Sequence, residues 1–226
     1  MSGISHSVPA IDPLRRHREI VGSLVIATHN PGKLAEMREL LLPYCIEAIS
    51  AADLGLPVPE ESGTTFRDNA RHKAVSAAIT AGMASLADDS GLAIEALGGA
   101  PGVHSARWAG EERNFRRAME LVEQKLRERG AYAPSQRKAH FVSALCVAWP
   151  DQHVEEFEAS VAGTLVWPPR GKQGFGYDPI FLPDGHARTF GEMTSEEKHG
   201  LPPAGRGLSH RALAFLKLAE ACLERG

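Results

Sequence analysis

Apolar and polar positions alternate with a strand period in some stretches of the chain and with a helix period in others. The β-branched run over residues 24–28 is typical of a buried strand, whereas leucines recur at helical spacing over residues 33–42. Valines and aromatic residues alternate over residues 139–149 and 154–166, and because only a short loop separates these runs, we predict an antiparallel pair. The same patterns predict further strands over residues 46–54 and 85–88, and helices over residues 64–81, 111–129 and 209–224.

The order of these elements favours an α/β fold. Strands and helices alternate early and a longer antiparallel section follows, so the sequence predicts a long central mixed β-sheet flanked by helices. The scattered polar loops suit a two-lobed molecule with an active-site cleft between the lobes. A chain of 226 residues is long enough for one such domain, which we place at residues 22–226. Residues 1–21 contain a basic tract but no apolar stretch of the signal-peptide type, and we predict a disordered leader there.

Composition and charge exclude several classes of protein. Hydrophobic residues make up 43% of the chain and charged residues 23%, which are ordinary globular values. The net charge of −3 provides no basic field for nucleic acid or an anionic membrane, and no apolar segment approaches the roughly 18 residues of a membrane span. Because Cys45, Cys146 and Cys222 are odd in number and far apart, we expect reduced core residues in a cytoplasmic protein.

The first candidate for chemistry is the loop between the first predicted strand and the first predicted helix. At such a position the amides of a helix N-terminus and a lysine can converge on a phosphate group. The loop is not a Walker A motif, because Ala27 stands where the first glycine belongs and Leu34 follows the lysine. The alternative is a plain turn with a solvated lysine. The loop consists of Thr28, His29, Asn30, Pro31, Gly32 and Lys33.

Acidic residues form the second candidate. Glu60 and Glu61 precede a predicted helix, where they either complement its dipole or supply a metal ligand. Asp88 and Asp89 end a short apolar run, at the strand edge where ligands of α/β sheets gather. Successive strand side chains point in opposite directions, so we predict that the two acids do not both face one cleft. One aspartate holding Mg²⁺ on substrate phosphates is chemically reasonable, and turn or cap chemistry is the alternative.

Three further segments contain candidate residues, and the first two have a structural as well as a functional interpretation. Lys73, on an alanine-rich helix, either reaches solvent or points into the cleft toward an anion. Phe175 follows a glycine-rich loop and can stack on a flat ring, while Asp178 can accept from a base edge; a turn with a core aromatic is the alternative. Ser209 is predicted to cap the last helix, which puts His210 and Arg211 in its first turn.

Taken together, the motifs are much more specific than any one of them. In order over residues 24–217 the chain contains THNPGK, EESGTTF..NA..KA, ADDSGL, LGGAPGVHSARWAG, GFGYDPIF and EMTSEEK…LSHRA. This set resembles the inosine triphosphate pyrophosphatase family, enzymes that remove non-standard purine nucleoside triphosphates. The resemblance implies a two-lobed α/β fold, a homodimer, Mg²⁺ as cofactor, and hydrolysis of ITP, dITP and XTP to the monophosphate and pyrophosphate.

The resemblance also implies a role for each matching residue. The loop from Thr28 to Lys33 matches the one that grips the triphosphate, and Lys73 matches a phosphate-binding lysine. Glu61 and Asp89 match the Mg²⁺-binding acids, with Asp89 as proton acceptor for the attacking water, and Ser90 matches a substrate contact beside it. The remaining positions match contacts to the purine nucleotide: Phe175, Gly176, Tyr177, Asp178, Lys198, His210 and Arg211.

Two departures from the family pattern and two rival functions stay open at this point. His29 stands where many members have glycine, and the stretch between Lys198 and His210 is longer than in many members. The rivals are a Maf-like pyrophosphatase for pyrimidine or modified nucleotides and a non-catalytic nucleotide sensor. The intact FGYDPIF and SHR segments count against the first, and Glu61, Asp89 and Lys33 count against the second.

Overall fold

A computed structural model describes residues 17–57, 62–201, 205 and 207–223. Its strands are β1 (Ser23–Ile26), β2 (Glu47–Ser50), β3 (Ser85–Ile94), β4 (Lys138–Ala148), β5 (Val154–Leu165) and β6 (Phe181–Pro183). They form one sheet in the order β2-β1-β3-β4-β5-β6, with β1 parallel to both neighbours and the remaining pairs antiparallel. The predicted α/β fold with a central mixed sheet is therefore confirmed.

Six α-helices lie in the described part of the chain. They are α1 (Pro31–Leu41), α2 (Phe66–Ala81), α3 (Ser105–Trp108), α4 (Phe115–Glu128), α5 (Ser195–His199) and α6 (His210–Cys222). Side-chain caps open all of them but α3: for example, Thr65 accepts from the Asp68 N–H at 3.1 Å to open α2, and Ser209 accepts from the Ala212 N–H at 3.1 Å to open α6. The predicted helix over residues 111–129 begins later, because Asn114 is its cap.

The most consequential difference from the sequence prediction concerns β3. The sequence predicts four residues ending at the two acids, but the strand has ten and pairs with β4 along its whole length. On its other side β3 pairs with β1 only at Ser85 and Leu86. Beyond Leu86, β1 gives way to the loop before α1, so the backbone of β3 at Asp88 lies on an edge that β1 does not cover. This edge shapes the functional site.

Helices cover both faces of the sheet. Helices α1 and α6 pack on one face, against Leu86, Leu145 and Val147, and α2 packs on the other, against Ala87 and Ala144. A third apolar cluster joins α4 to the far ends of β3, β4 and β5. The small β6, α3 and α5 were not predicted, because elements of three to five residues are too short to show periodicity.

The chain ends and the cysteines differ in part from expectation. Residues 1–16 of the predicted leader lie outside the described residues, whereas residues 17–21 contact the domain: Ile20 is buried, and its N–H donates to the carbonyl oxygen of Cys222 at 2.9 Å. Cys146 and Cys222 are buried free thiols as expected, but Cys45 is exposed. None of the helices within the described ranges is long and apolar enough to cross a membrane.

Candidate active site

A cavity of about 440 Å³ opens at the uncovered edge of β3. Its wall combines the loop before α1, the first turn of α6, a face of α2 and the loop after Gly174. Of the residues singled out in the sequence, those lining it are Thr28, His29, Asn30, Lys33, Lys73, Asp89, Ser90, Phe175, Gly176, Tyr177, Asp178, Lys198, His210 and Arg211. Pro31 and Gly32 do not line it, and Glu61 lies outside the described residues.

Two lysines converge on the uncovered edge of β3. The Nζ atom of Lys33 donates to the backbone oxygen of Asp88 at 3.1 Å, and that of Lys73 donates to the same oxygen at 3.3 Å. Lys33 comes from α1 on one face of the sheet and Lys73 from α2 on the other. Burial lowers the pKa of Lys33, an effect that Asp88 opposes and Lys73 reinforces. The arrangement places two ammonium groups at one end of the cavity, beside the carboxylates of Asp88 and Asp89.

The loop before α1 is held by its own side chains. Asn30 accepts from the N–H groups of Gly32 at 2.9 Å and Lys33 at 3.3 Å, which caps the helix, and Thr28 accepts from the Asn30 N–H at 3.1 Å. A Cβ at Gly32 would lie 2.9 Å from Cδ1 of Phe175. Gly32 therefore packs closely against Phe175 but does not itself line the cavity.

Asp88 has a full set of protein partners. Arg211 donates to its Oδ2 from Nη2 at 2.9 Å and from Nε at 3.1 Å, and Ser143 donates to its Oδ1 at 2.7 Å. The Nζ of Lys33 lies 3.0 Å from Oδ2, and Ser90 donates to the same oxygen at 3.2 Å. Burial alone would raise the pKa of Asp88, but Arg211 and Lys33 outweigh it and hold that pKa far below its usual range.

Asp89 points to the opposite face of the sheet and contacts α2. Its Oδ1 accepts from Nζ of Lys73 at 2.6 Å, and its Oδ2 accepts from Nδ2 of Asn69 at 3.3 Å. Strand alternation thus separates the two acids as predicted, but the prediction that they do not share a cleft is wrong, since both line the same cavity. The reason is the uncovered edge of β3, around which the cavity extends to both faces.

A buried ionic network lies beneath the cavity and was missed by the sequence analysis. Arg211 donates to Glu36 as well as to Asp88, and Nε2 of His199 lies 3.0 Å from Oε1 of Glu36. The other ring nitrogen of His199 lies 2.8 Å from Oγ of Ser209. Burial opposes ionisation of Glu36, but Arg211 and then His199 lower its pKa to about 2. Nothing in the sequence links these residues, because they come from four separate elements, α1, β3, α5 and α6.

The other end of the cavity is aromatic. The ring of Phe175 lies 5.8 Å from the Arg211 guanidinium, and Tyr177 packs edge-on against Phe115 at a centroid distance of 5.5 Å. His210 stacks on Phe141 at 4.8 Å with the ring planes 10° apart. Its Nδ1 is buried without a hydrogen-bond partner among the described residues, and burial followed by Arg211 lowers its pKa to about 3, so the ring is neutral.

Lys198 also belongs to this end despite the longer spacing to His210. Its Nζ donates to Oδ2 of Asp178 at 2.8 Å, and both side chains are buried. Burial raises the pKa of Asp178, while Lys198 opposes that rise. A Cβ at Gly174 would lie 1.9 Å from the same carboxylate oxygen, which requires a glycine there. Both residues line the cavity, so a donor and an acceptor lie side by side in its wall.

Further residues line the cavity without having been assigned from sequence. They are Ala27, Glu36, Gly91, Val103, Ser105, Ala106, Arg107, Arg113, Phe115, Phe141, Phe190 and His199. Asp88 and Ser209, which the sequence singled out as a strand-end acid and a helix cap, also line the cavity. The LGGAPGVHSARWAG motif marked the segment that supplies Val103 to Arg107. Among the residues that the structure describes, no group of three histidine, cysteine, aspartate or glutamate side chains could hold a metal ion.

Fold and site together define an α/β protein whose pocket suits a polyanion attached to a flat ring. The model of the Ham1 family matches residues 24–221, and this chain belongs to that family. It is 70% identical over 207 residues to a dITP/XTP pyrophosphatase from Rhodopseudomonas palustris, covering 92% of this chain and 99% of the relative. It is 56% identical over 210 residues to a dITP/XTP pyrophosphatase from Rhizobium meliloti, covering 91% and 98%.

Solved structures agree with the fold. A HAM1 protein from Coxiella burnetii superposes with a TM-score of 0.76 at 35% identity, covering 88% of this chain and 98% of that one. The Ham1 protein of Staphylococcus aureus superposes with a TM-score of 0.73 at 32% identity, covering 88% and 96%.

Proposed function

We propose that this chain is a nucleoside triphosphate pyrophosphatase that hydrolyses dITP, XTP and ITP to the monophosphate and pyrophosphate. The relatives named as dITP/XTP pyrophosphatases support the activity over nearly the whole chain. The observation that carries the site assignment is the convergence of Lys33 and Lys73 on the edge of β3 beside Asp89. A triphosphate needs that positive charge, and hydrolysis needs a base next to it.

The phosphate end is assigned to the loop before α1 and to the two lysines. The N-terminus of α1, capped by Asn30, favours negative charge there, and Lys33 and Lys73 neutralise the triphosphate as charge develops on the leaving pyrophosphate. Asp89 accepts the proton of the water that attacks the α-phosphorus. Ser90, which follows Asp89 and lines the same cavity, contacts the substrate beside it.

Mg²⁺ is the cofactor in this proposal. The donor set fits it, because Mg²⁺ in nucleotide enzymes takes one or two carboxylates and completes its shell with water and phosphate oxygens. Asp89 supplies one carboxylate at the cavity wall, and Glu61, outside the described residues, is proposed as the second. When bound, the ion supplies charge neutralisation of the phosphates and a more acidic water.

The ring end is assigned to selection for a 6-keto purine. Phe175 stacks on any purine and so contributes affinity. Nζ of Lys198 is a donor only, so it pairs with the 6-keto oxygen of hypoxanthine or xanthine and not with the 6-amino group of adenine. An unpaired buried polar group costs roughly 1–3 kcal/mol, enough for about ten- to hundredfold discrimination. His210 and Arg211 complete this wall, together with Gly176, Tyr177 and Asp178.

A panel of triphosphates tests the proposal. Pyrophosphate release is measured with dITP, XTP, ITP, dATP, GTP and dTTP, each at limiting concentration with Mg²⁺. The expected order places the first three above dATP by at least about tenfold, because adenine has no 6-keto oxygen. A preference for dTTP would instead identify a Maf-like enzyme. Binding of dITP with no release from any triphosphate would identify a nucleotide sensor. The cytoplasmic location and the homodimer belong to the same proposal, and sedimentation analysis tests the latter.

A further inference from the structure

One buried side chain beside Asp89 has no role in the scheme above. Asn69, in the first turn of α2, is 2% exposed. Its Nδ2 donates to Oδ2 of Asp89 at 3.3 Å, and its Oδ1 accepts from the backbone N–H of Gly63 at 2.8 Å. The amide therefore joins the carboxylate on β3 to the backbone segment that leads into α2.

The geometry around this amide leaves little freedom. Lys73 lies one helical turn after Asn69, on the same face of α2, and holds the other oxygen of Asp89 at 2.6 Å. The two oxygens of the carboxylate thus receive one donor each from α2. A Cβ at Gly63 would lie 2.6 Å from Oδ1 of Asn69, so the close approach of the Gly63 backbone requires the absence of a side chain. A buried amide with both ends engaged holds a fixed orientation.

We propose that Asn69 is a positioning residue that orients the Asp89 carboxylate for the metal ion and the attacking water. The inference rests on the proposed function, since it assigns Asp89 that task. Lys73 must also bind the phosphates in this scheme. The amide of Asn69 has no net charge and serves only to orient the Asp89 carboxylate. Outer partners of this kind, when removed, typically cost about 10- to 100-fold in metal affinity or activity.

The experiment compares Asn69→Ala and Asn69→Leu with wild type. Leucine has the same number and branching of side-chain heavy atoms as asparagine, so it provides a second variant, without a cavity, if the alanine variant does not fold. Mg²⁺ is titrated calorimetrically into enzyme saturated with the α,β-imido analogue of dITP, and the Mg²⁺ concentration for half-maximal pyrophosphate release is measured in parallel. Both variants are expected to weaken Mg²⁺ binding by about 10- to 100-fold. Binding of the analogue in the presence of EDTA is expected to stay within about threefold of wild type, because the phosphate and ring contacts are intact.

Thr65→Ala is the matched control. It removes the cap of the same helix without touching the amide or Asp89. It is expected to lower the melting temperature while the Mg²⁺ titration stays within about twofold of wild type. An unchanged Mg²⁺ titration in a folded Asn69 variant would overturn the inference, as would an equal loss in Thr65→Ala. Absence of pyrophosphate release by the wild type would instead overturn the proposed function, so the two failures are distinguishable.

Discussion

Asp88 and Asp89 are neighbours in sequence, but their carboxylates have different partners and different expected roles. Asp88 is held by Arg211, Ser143 and Lys33. Asp89 faces α2, where Lys73 and Asn69 hold it at the cavity wall. The charge of Asp88 thus neutralises the buried cations Arg211 and Lys33 and holds their side chains in place. Asp89, in contrast, is proposed to receive a proton from water.

The first prediction compares Asp89→Asn with Asp88→Asn. Asp89→Asn removes the base, so we expect kcat to fall by about 10²- to 10⁴-fold while the dITP analogue still binds. Asp88→Asn removes the charge that offsets Arg211 and Lys33, and breaking a buried pair of this kind costs about 3–5 kcal/mol. We therefore expect a large drop in melting temperature for Asp88→Asn. Equal losses of kcat in two variants of wild-type stability would contradict this division of roles.

The second prediction concerns Lys198. Lys198→Met keeps the length of the side chain but removes the donor opposite the 6-position of the purine and leaves Asp178 without its partner. We expect the ratio of kcat/KM for dITP to that for dATP to fall by about tenfold or more. The control is Lys172→Met. Lys172 is an exposed lysine in the glycine-rich loop before Phe175, and it does not line the cavity. An unchanged ratio in Lys198→Met would exclude Lys198 from base selection.

At the scale of elements, the start of α6 fixes several parts of the site at once. Ser209 caps the helix, contacts His199 and positions His210 and Arg211 in the first turn. The motif LSHRA predicted this cap correctly from sequence, because serine is a preferred N-cap residue directly before an apolar helical pattern. The link from Ser209 to His199 and on to Glu36 was not predictable, since sequence spacing contains no information about which loop meets the helix.

The third prediction tests this cap. Ser209→Ala is expected to lower the free energy of unfolding by about 0.5–2 kcal/mol, measured by urea denaturation, because the Ala212 N–H loses its acceptor. Ser195→Ala is the matched control: Ser195 is exposed and its hydroxyl donates to Glu39 at the surface, so a change within about 0.5 kcal/mol is expected. Equal changes in the free energy of unfolding for the two substitutions would show that the α6 cap stabilises the fold no more than an exposed serine does.

The sequence predictions were wrong about the length of one strand and missed three residues near the cavity. The length of β3 was underestimated because acids normally end an apolar strand. Here the strand continues, since Arg211, 123 residues further along, neutralises Asp88. Local patterns predicted the sheet class and most helix positions, and the local motifs together with the family resemblance predicted fourteen residues of the cavity wall. They missed Glu36, His199 and Asn69, because each becomes functional only through a partner brought near by folding.

At the scale of the whole molecule, the buried groups make stability depend on pH. His210 has a folded pKa of about 3 against an unfolded value near 6.5, so between these values only the unfolded chain binds the proton. Stability is therefore lost as the pH falls below 6.5. Glu36, with a folded pKa of about 2, adds a loss as the pH falls below about 4.5. The raised pKa of Asp178 acts in the opposite direction.

The fourth prediction isolates the contribution of His210. Between pH 6.5 and pH 5 it amounts to at most about 2 kcal/mol in the free energy of unfolding, since one pH unit corresponds to about 1.4 kcal/mol. We expect His210→Phe, which keeps a ring against Phe141, to flatten the dependence of the urea midpoint on pH in this range. His140→Phe, a change near the surface beside Glu95, is expected to keep the wild-type slope. Parallel slopes for wild type and His210→Phe would contradict a buried neutral His210.

The central claim is that this molecule cleaves a non-standard purine triphosphate between the α- and β-phosphates. It is tested most directly by hydrolysis of dITP with the wild-type enzyme in ¹⁸O-labelled water, with the products analysed by mass spectrometry. We expect one ¹⁸O atom in dIMP and none in the pyrophosphate, because water attacks the α-phosphorus. Formation of dIDP and phosphate, ¹⁸O in the pyrophosphate, or an intact triphosphate would contradict the account.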